Sequence, residues 1–361
     1  MKGRVVVGMS GGVDSSVAAL LLKQTGYEVI GLFMNNWDEQ DDSGACTSAE
    51  DFEDARSVCA AIGIPLYSVS FAKEYYDRVF SYFLGEYAAG RTPNPDVLCN
   101  REIKFAPFKR KAAELGAQYV ATGHYCRIDH ASAPVLLKAA DASKDQTYFL
   151  NQVRTEQLEN VLFPIGGMLK KDVRAIAVKN GLVTGRKKDS TGICFIGERN
   201  FRSFLAQYLP ARPGDVVDVS GRTVGRHNGV MYYTLGQRRG LGIGGVSGAE
   251  ENRWYVVDKD VASNRLIVSC GEGEELMSDG CECSGLNIIG DFDWRDGSEL
   301  RCCARMRYRQ PDQPVTAVRH GDGFRLTFGI RQRAVTPGQY AVLYLGERCI
   351  GGGVIVSAFR S

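Results

Sequence analysis

The chain has 361 residues, 44% hydrophobic and 24% charged, with 44 lysines and arginines against 42 aspartates and glutamates and a formal net charge of +2. That length exceeds what one hydrophobic core supports and implies two or three domains, while the balanced charge gives no whole-chain reason to bind nucleic acid. No apolar run approaches the roughly 20 residues that a membrane span needs, and the chain enters an apolar run at once (Arg4-Val5-Val6-Val7), so a cytoplasmic protein without membrane or transit segment is expected.

The first half alternates strands with helices. Val5 to Gly8 reads as a buried strand, Asp14 to Gln24 as a helix ended by Gly26, and Val29 to Met34 as a second strand. Ala49 to Ile62 is helical and stops at Gly63 and Pro65, Leu66 to Phe71 is a strand, Glu102 to Leu115 a helix, and Tyr119 to Thr122 a strand. Strands separated by helix-length segments predict an α/β domain with a doubly wound parallel sheet over residues 1–205. Beyond Pro210, Pro213 and Gly214 the texture becomes β-rich. Runs at Val216–Val219, Val230–Thr234, Trp254–Val257, Arg265–Ser269, Leu300–Tyr308, Phe324–Phe328 and Tyr340–Tyr344 predict two small β-rich domains, 206–275 and 276–361, the second a barrel.

Charge is unevenly distributed. Between Asp38 and Asp54 lie eight acidic residues and no basic ones, so the rest of the chain carries a formal +10, the whole-chain +2 less this run's −8. Basic clusters recur at Lys109–Lys111, Arg186–Lys188, Arg238-Arg239, Arg305 with Arg307 and Arg309, and Arg331 with Arg333. Their spread fits a long polyanionic partner. Strand alternation would put Arg305, Arg307 and Arg309 on one face.

Gly8-Met9-Ser10-Gly11-Gly12-Val13-Asp14-Ser15 falls between the first strand and the first helix. Glycines there allow close backbone approach, and the N–H groups of the loop and helix start can cradle phosphate oxygens. Neither the lysine of a Gly-x-x-x-x-Gly-Lys loop nor the spacing of Gly-x-Gly-x-x-Gly is present. The Ser-Gly-Gly-x-Asp-Ser pattern resembles the pyrophosphate loop of ATP pyrophosphatases of the adenine nucleotide α-hydrolase fold, which implies ATP cleaved between its α- and β-phosphates.

The eleven cysteines are odd in number and dispersed, which argues against a disulfide framework. Cys99 closes a polar, proline-broken loop (Asn94-Pro95-Asp96-Val97-Leu98-Cys99) before a helix, where the dipole would favour thiolate, with Asp96 close enough to move protons. Cys194 follows Arg186-Lys187-Lys188, which favours an anionic sulfur. Cys281, Cys283, Cys302 and Cys303 lack Cys-x-x-Cys spacing and read, with Cys46, Cys59 and Cys126, as structural thiols. His124, after Thr122-Gly123 at a strand end, is where open α/β sheets bind ligands.

These segments, with Lys144-Asp145-Gln146, Gly192-Ile193-Cys194-Phe195, Pro337-Gly338-Gln339 and Gly351-Gly352-Gly353, together resemble the tRNA-specific 2-thiouridylases from near the first residue to the last. The resemblance implies that Gly8, Met9, Ser10, Gly11, Gly12, Val13, Asp14, Ser15, Met34 and Gly123 hold ATP, brought with Mg2+. No tightly bound metal is expected. It implies Cys99 as nucleophile, Cys194 as persulfide carrier, and Asn94, Pro95 and Asp96 at the target base. His124, Lys144, Asp145, Gln146, Arg307, Tyr308 and Gln339 would contact tRNA. The expected partners are tRNA and a sulfur donor, either a cysteine desulfurase or a persulfide relay protein. A small-molecule ATP pyrophosphatase, such as an amidotransferase or argininosuccinate-type synthetase, would need neither Cys99 nor tRNA; a non-catalytic RNA-binding module would leave the phosphate loop unexplained.

Overall fold

The computed structural model describes residues 2–37, 47–130, 132–188, 201–243 and 253–360. Cys194 with its neighbours, Cys46, and the acidic residues Asp38 to Asp42 lie outside the described residues.

Strands β1 (Arg4–Met9), β2 (Glu28–Asn35), β3 (Leu66–Ser70) and β4 (Tyr119–Ala121) belong to one parallel sheet. A hairpin of β5 (Cys126–Asp129) and β6 (Val135–Lys138) leaves it, and β7 (Val161–Leu162) returns, giving the order β3-β2-β1-β4-β7. β1 is central and covered on both faces, which is why Val5, Val6 and Val7 form an unbroken apolar run with no exposed surface. Helix α1 (Val13–Gln24) follows β1 and ends at Thr25, with Gly26 at φ +91°. Helix α2 (Thr47–Ile62) packs on the same side, so that Val58 and Cys59 share a core with Val5, Val7 and Val17.

The central sheet contains β8 (Gly214–Asp218), β9 (Thr223–His227), β10 (Trp254–Asp260) and β11 (Arg265–Cys270) in the order β10-β11-β8-β9. Here β11 and β8 run parallel and the other pairs antiparallel. The strand expected at Val230–Thr234 is instead a 3-10 turn over Val230–Tyr232, set by Gly229 at φ +125° and by the Tyr232 hydroxyl donating to Leu209 O at 2.6 Å.

The third sheet contains β12 (Met277–Ile288), β13 (Glu299–Arg305), β14 (Gln313–His320), β15 (Gly323–Arg333), β16 (Tyr340–Leu345) and β17 (Arg348–Phe359). Their order, β12-β15-β14-β13-β16-β17, closes into a barrel through β12–β17 pairing. Closure demands glycine. A Cβ at Gly351 would lie 1.9 Å from Asn287 O, and one at Gly352 2.4 Å from Ala341 O. The β5–β6 hairpin extends the barrel sheet by Cys349–Leu136 and Arg348–Leu137 pairing, so the first and third regions share a sheet. The strand expected to run from Leu300 to Tyr308 stops at Arg305, and Arg309 turns at φ +65°. A continuous alternating face through Arg305, Arg307 and Arg309 therefore does not form.

Candidate active site and its interdomain frame

The carboxyl ends of β1, β2 and β4 bring Gly8–Ser15, Met34 and Gly123 to one edge of the parallel sheet. There Ser15 Oγ accepts from Ser10 N at 3.2 Å and donates to Gly12 O at 3.1 Å, closing the loop on itself. Ser16 points inward, donating to Gly12 O and accepting from Thr184, so its hydroxyl is turned away from the loop's open side. A Cβ at Gly123 would lie 2.7 Å from Ser15 N, so glycine is what lets β4 abut the start of α1. Gly11, at φ +67°, is as tightly placed, because a Cβ there would meet Asp51 O at 2.3 Å.

Two lysines lie near this loop, and of these Lys170 carries no motif and escaped sequence reasoning. Lys170 Nζ lies 2.8 Å from each oxygen of Asp14, whose Oδ1 also accepts from Tyr125 OH at 2.9 Å. Lys187 binds Asp51 and Asp54 on α2, so part of the acidic run has a structural partner and Lys187 is not a free cation for a sulfur anion. Removing Lys170 leaves the Asp14 carboxylate without its cation beside the candidate phosphate loop. Lys170→Met is therefore expected to weaken ATP binding by about tenfold or more, near 1.4 kcal/mol. Asp14→Asn added to it is expected to recover most of the loss; titration calorimetry of both variants with ATP checks this.

Cys99 departs from its expected setting. Asn94 caps a helix Pro95–Cys99, its Oδ1 accepting from Val97 N at 3.4 Å with Pro95 in the first turn, and the helix runs on as a wide turn over Asn100–Lys104. Cys99 thus sits a full turn inside the helical segment, 1% exposed beside Leu98 and Ile103. The expected dipole effect of a helix start does not apply there. Asp96 is half-buried on the first turn; desolvation pushes its carboxyl above the usual range, partly offset by the Lys104 ammonium. Asn100 donates to Phe149 O at 3.0 Å, and its buried Oδ1 has no hydrogen-bond partner among the described residues.

His124 follows Gly123 at the end of β4 and packs against the end of this helical segment. Its ring packs between Phe105 and Phe163 at centroid distances of 6.2 and 6.0 Å, with Nδ1 2.7 Å from Thr122 Oγ1. Burial, and then the Lys104 charge, hold its imidazole well below 6.5. Because the folded protein disfavours a proton that the unfolded chain accepts, this contribution to stability is complete above about pH 6.5 and is lost as pH falls below it. His124→Gln is expected to flatten the fall of Tm between about pH 6.5 and 5; an unchanged Tm profile would contradict this.

The residues expected to meet RNA divide by burial. Asp145 is fully enclosed: Oδ1 accepts from Ala139 N at 3.1 Å, and Oδ2 binds Arg305 Nη1 at 2.6 Å. Gln146 exchanges bonds with the Tyr125 backbone at 2.8 and 2.9 Å. Gln339 donates to Thr92 O at 2.8 Å and Pro93 O at 3.4 Å, fixing the approach to Asn94, while Thr92 N bonds Pro337 O. Arg307 Nη2 holds Leu235 O, Ala334 O and Thr336 Oγ1 within 3.1 Å. Asp145, Gln146, Gln339 and this arm of Arg307 are thus engaged inside the protein. Tyr308 packs on Phe149 at 4.4 Å, so the barrel reaches the Cys99 helix through Phe149 and Asn100.

Several of the other described thiols are poor nucleophiles. Burial pushes Cys59 to about 11 and Cys302 and Cys349 to about 12. Cys281 and Cys283 lie 3.8 Å apart inside the barrel, and no cluster of three or more metal-ligating side chains occurs among the described residues.

Three family models match in sequence: a tRNA methyl transferase HUP domain over residues 3–198, a tRNA methyl transferase PRC-barrel domain over 202–270, and an aminomethyltransferase beta-barrel domain over 279–355. The chain is 57% identical over 360 residues to the tRNA-specific 2-thiouridylase MnmA of Alkaliphilus oremlandii (strain OhILAs), covering 98% of this chain and 96% of that one. The chain belongs to the tRNA-specific 2-thiouridylase family. The MnmA proteins of Streptococcus thermophilus (strain ATCC BAA-491 / LMD-9) and Streptococcus agalactiae serotype III (strain NEM316) are 54% and 55% identical over 362 residues, each covering 99% of this chain and 96% of the relative. The domain descriptions speak of methyl transfer. The full-length identities decide the family, because they span all three sheets at once.

Proposed function

We propose that this 2-thiouridylase uses ATP to activate the C2 oxygen of a tRNA wobble uridine and replaces it with sulfur carried by Cys194. The C2 oxygen attacks the α-phosphorus of ATP, pyrophosphate leaves, and AMP becomes the leaving group in place of a poor oxide. The outer sulfur of a Cys194 persulfide then adds to C2 and AMP departs. Cys99 thiolate attacks the inner sulfur, leaving the outer sulfur on the base and forming a Cys99–Cys194 disulfide that a cellular thiol reduces. Sulfide released first by the same Cys99 attack would reach the same product. A cysteine desulfurase or persulfide relay protein supplies the sulfur.

The observation that supports this reading is the Phe105–His124 ring contact at 6.2 Å, which links the end of the helical segment that contains Cys99 to the strand end where Gly123 abuts Ser15. ATP lies along Gly8–Ser15 with Met34 and Gly123 at its sides, and its Mg2+ arrives as counter-ion of the polyphosphate. Asp14 is engaged by Lys170, so the loop adds no free carboxylate for that ion. Asp96, with its raised carboxyl, donates or accepts the proton at the base, next to Asn94 and Pro95. Lys144 and Tyr308 face the RNA, whereas Asp145, Gln146 and Gln339 hold the surrounding backbone. Cytoplasmic action follows from the substrate; no helix among the described residues is long and apolar enough to cross a membrane.

The test is purified protein with unmodified tRNA, ATP and a persulfide or sulfide source, read by nucleoside mass spectrometry. ATP-dependent 2-thiouridine with equimolar AMP is expected. Pyrophosphate release driven by a small amine or amide, with no change in tRNA, would overturn it.

A further inference from the structure

The barrel arginines Arg301, Arg305, Arg325, Arg331, Arg333 and Arg348 each have a carboxylate within 4 Å. Arg238, Arg239 and Arg253 are different. All three are exposed, line one open groove with Gly240, Leu241, Gly242, Ile243 and Trp254, and have no ion-pair partner among the described residues.

The groove is built. Gly236 N bonds Val256 O at 2.8 Å and Val256 N bonds Gln237 O at 3.0 Å, tying the segment to β10. Gln237 accepts from Thr234 N and donates to Arg239 O at 2.9 Å. Arg202 donates to Gly240 O at 3.3 Å while its guanidinium lies 4.8 Å from the Tyr233 ring centroid. Gly240 and Gly242, at φ +72° and +67°, supply the turns that bring Arg238 and Arg239 to the same groove as Arg253. Trp254, half-buried, lines the same groove.

The segment starts beside the candidate active site, since Thr234 Oγ1 is 3.4 Å from Thr92 Oγ1, two residues before Asn94. Four residues span at most about 14 Å, so Arg238 stands within about 36 Å of Asp96 along this path through the two threonine side chains. Three guanidiniums with no carboxylate partner among the described residues, beside Trp254, suit a run of phosphodiesters with a base or ribose against the ring.

From this geometry we propose that the Arg238–Arg239–Arg253 groove of the central sheet is a second tRNA contact, gripping the RNA backbone away from the target uridine. The proposal rests on the thiouridylase reading above. It assigns affinity and register to the groove and leaves chemistry to the Cys99 helix.

The test compares wild type, Arg238→Ala/Arg239→Ala/Arg253→Ala, and the corresponding triple lysine variant, by tRNA binding from about 50 to 200 mM salt and by steady-state thiolation. Each phosphate contact contributes about 0.7–0.9 to the slope of log K against log salt, so the alanine variant is expected to lose about 2 from that slope. Its KM for tRNA is expected to rise at least about tenfold at the upper salt limit, with kcat and the KM for ATP unchanged. The lysine variant is expected to keep the wild-type slope, which separates lost charge from lost folding. A wild-type slope and KM in the alanine variant overturns the proposal. So does a loss confined to persulfide-dependent turnover with sulfide-dependent turnover intact, which would make the groove a donor-protein site. Failure of the wild-type protein to thiolate tRNA at all would instead refute the function.

Discussion

Cys99→Ala is expected to lower tRNA thiolation by about a thousandfold or more, close to 4 kcal/mol of transition-state stabilisation, while ATP binding and tRNA affinity stay within about twofold. Alanine is preferred to serine because Cys99 lies in an apolar cluster where a hydroxyl would need a partner. The two-thiol scheme makes a sharper demand than loss of activity. With Cys99 gone, nothing opens the S–S bond, so Cys194 is expected to accumulate as its persulfide when tRNA is absent, and as a disulfide-linked adduct to C2 of the base when tRNA and ATP are present, both visible by intact mass spectrometry. With Cys194→Ala there is no persulfide to open, and supply of inorganic sulfide is expected to restore part of the turnover. A wild-type single turnover without reductant is expected to leave a Cys99–Cys194 disulfide in peptide mapping. Full activity in both alanine variants would refute the scheme while leaving the ATP chemistry standing. Turnover of wild type without any such disulfide would do the same.

Much of this was legible in the chain because the informative features are local. Glycines at Gly8, Gly11 and Gly12 between an apolar strand and a helix can be read without knowing what packs where, and so can βαβ alternation. What misleads is in part local punctuation and in part partners distant in sequence. Cys99 was placed before a helix, although Asn94-Pro95 is an N-cap followed by proline in the first turn and marks a helix start five residues earlier. The β5–β6 hairpin gives a weak strand signal, since it finds its neighbour in β17, more than two hundred residues away. Thr223–His227 was missed because Gly225 interrupts the β-rich pattern. Asp145, Gln146 and Gln339 look polar and surface-bound in sequence; only the docked barrel shows their side chains bonded internally. Lys170 sits in no motif and acquires meaning solely through Asp14, 156 positions away.

Breaking the Arg305–Asp145 pair is expected to be the most damaging single change outside the site. Asp145 is 1% exposed at its side chain and Arg305 13%, and Arg305 also binds Asp312 at 2.6 Å, itself held by Lys138. Asp145 belongs to the first region and Arg305 to the barrel, so the ion pair crosses the seam that seats Tyr308 against Phe149. Arg305→Met removes the cation and leaves a buried carboxylate with only Ala139 and Thr147 as donors. Removing one partner of such a pair costs about 3–5 kcal/mol, of which the uncompensated charge is the larger part. A fall in Tm of about 6 °C or more is expected, with KM for tRNA rising as the seam loosens. Asp145→Asn combined with Arg305→Met is expected to recover more than half of the stability, because a neutral amide tolerates the apolar neighbour better than an ion does. Calorimetry on the two single variants and the double variant decides it. Strict additivity would mean that the two side chains do not interact and that the barrel is held on by its shared sheet alone.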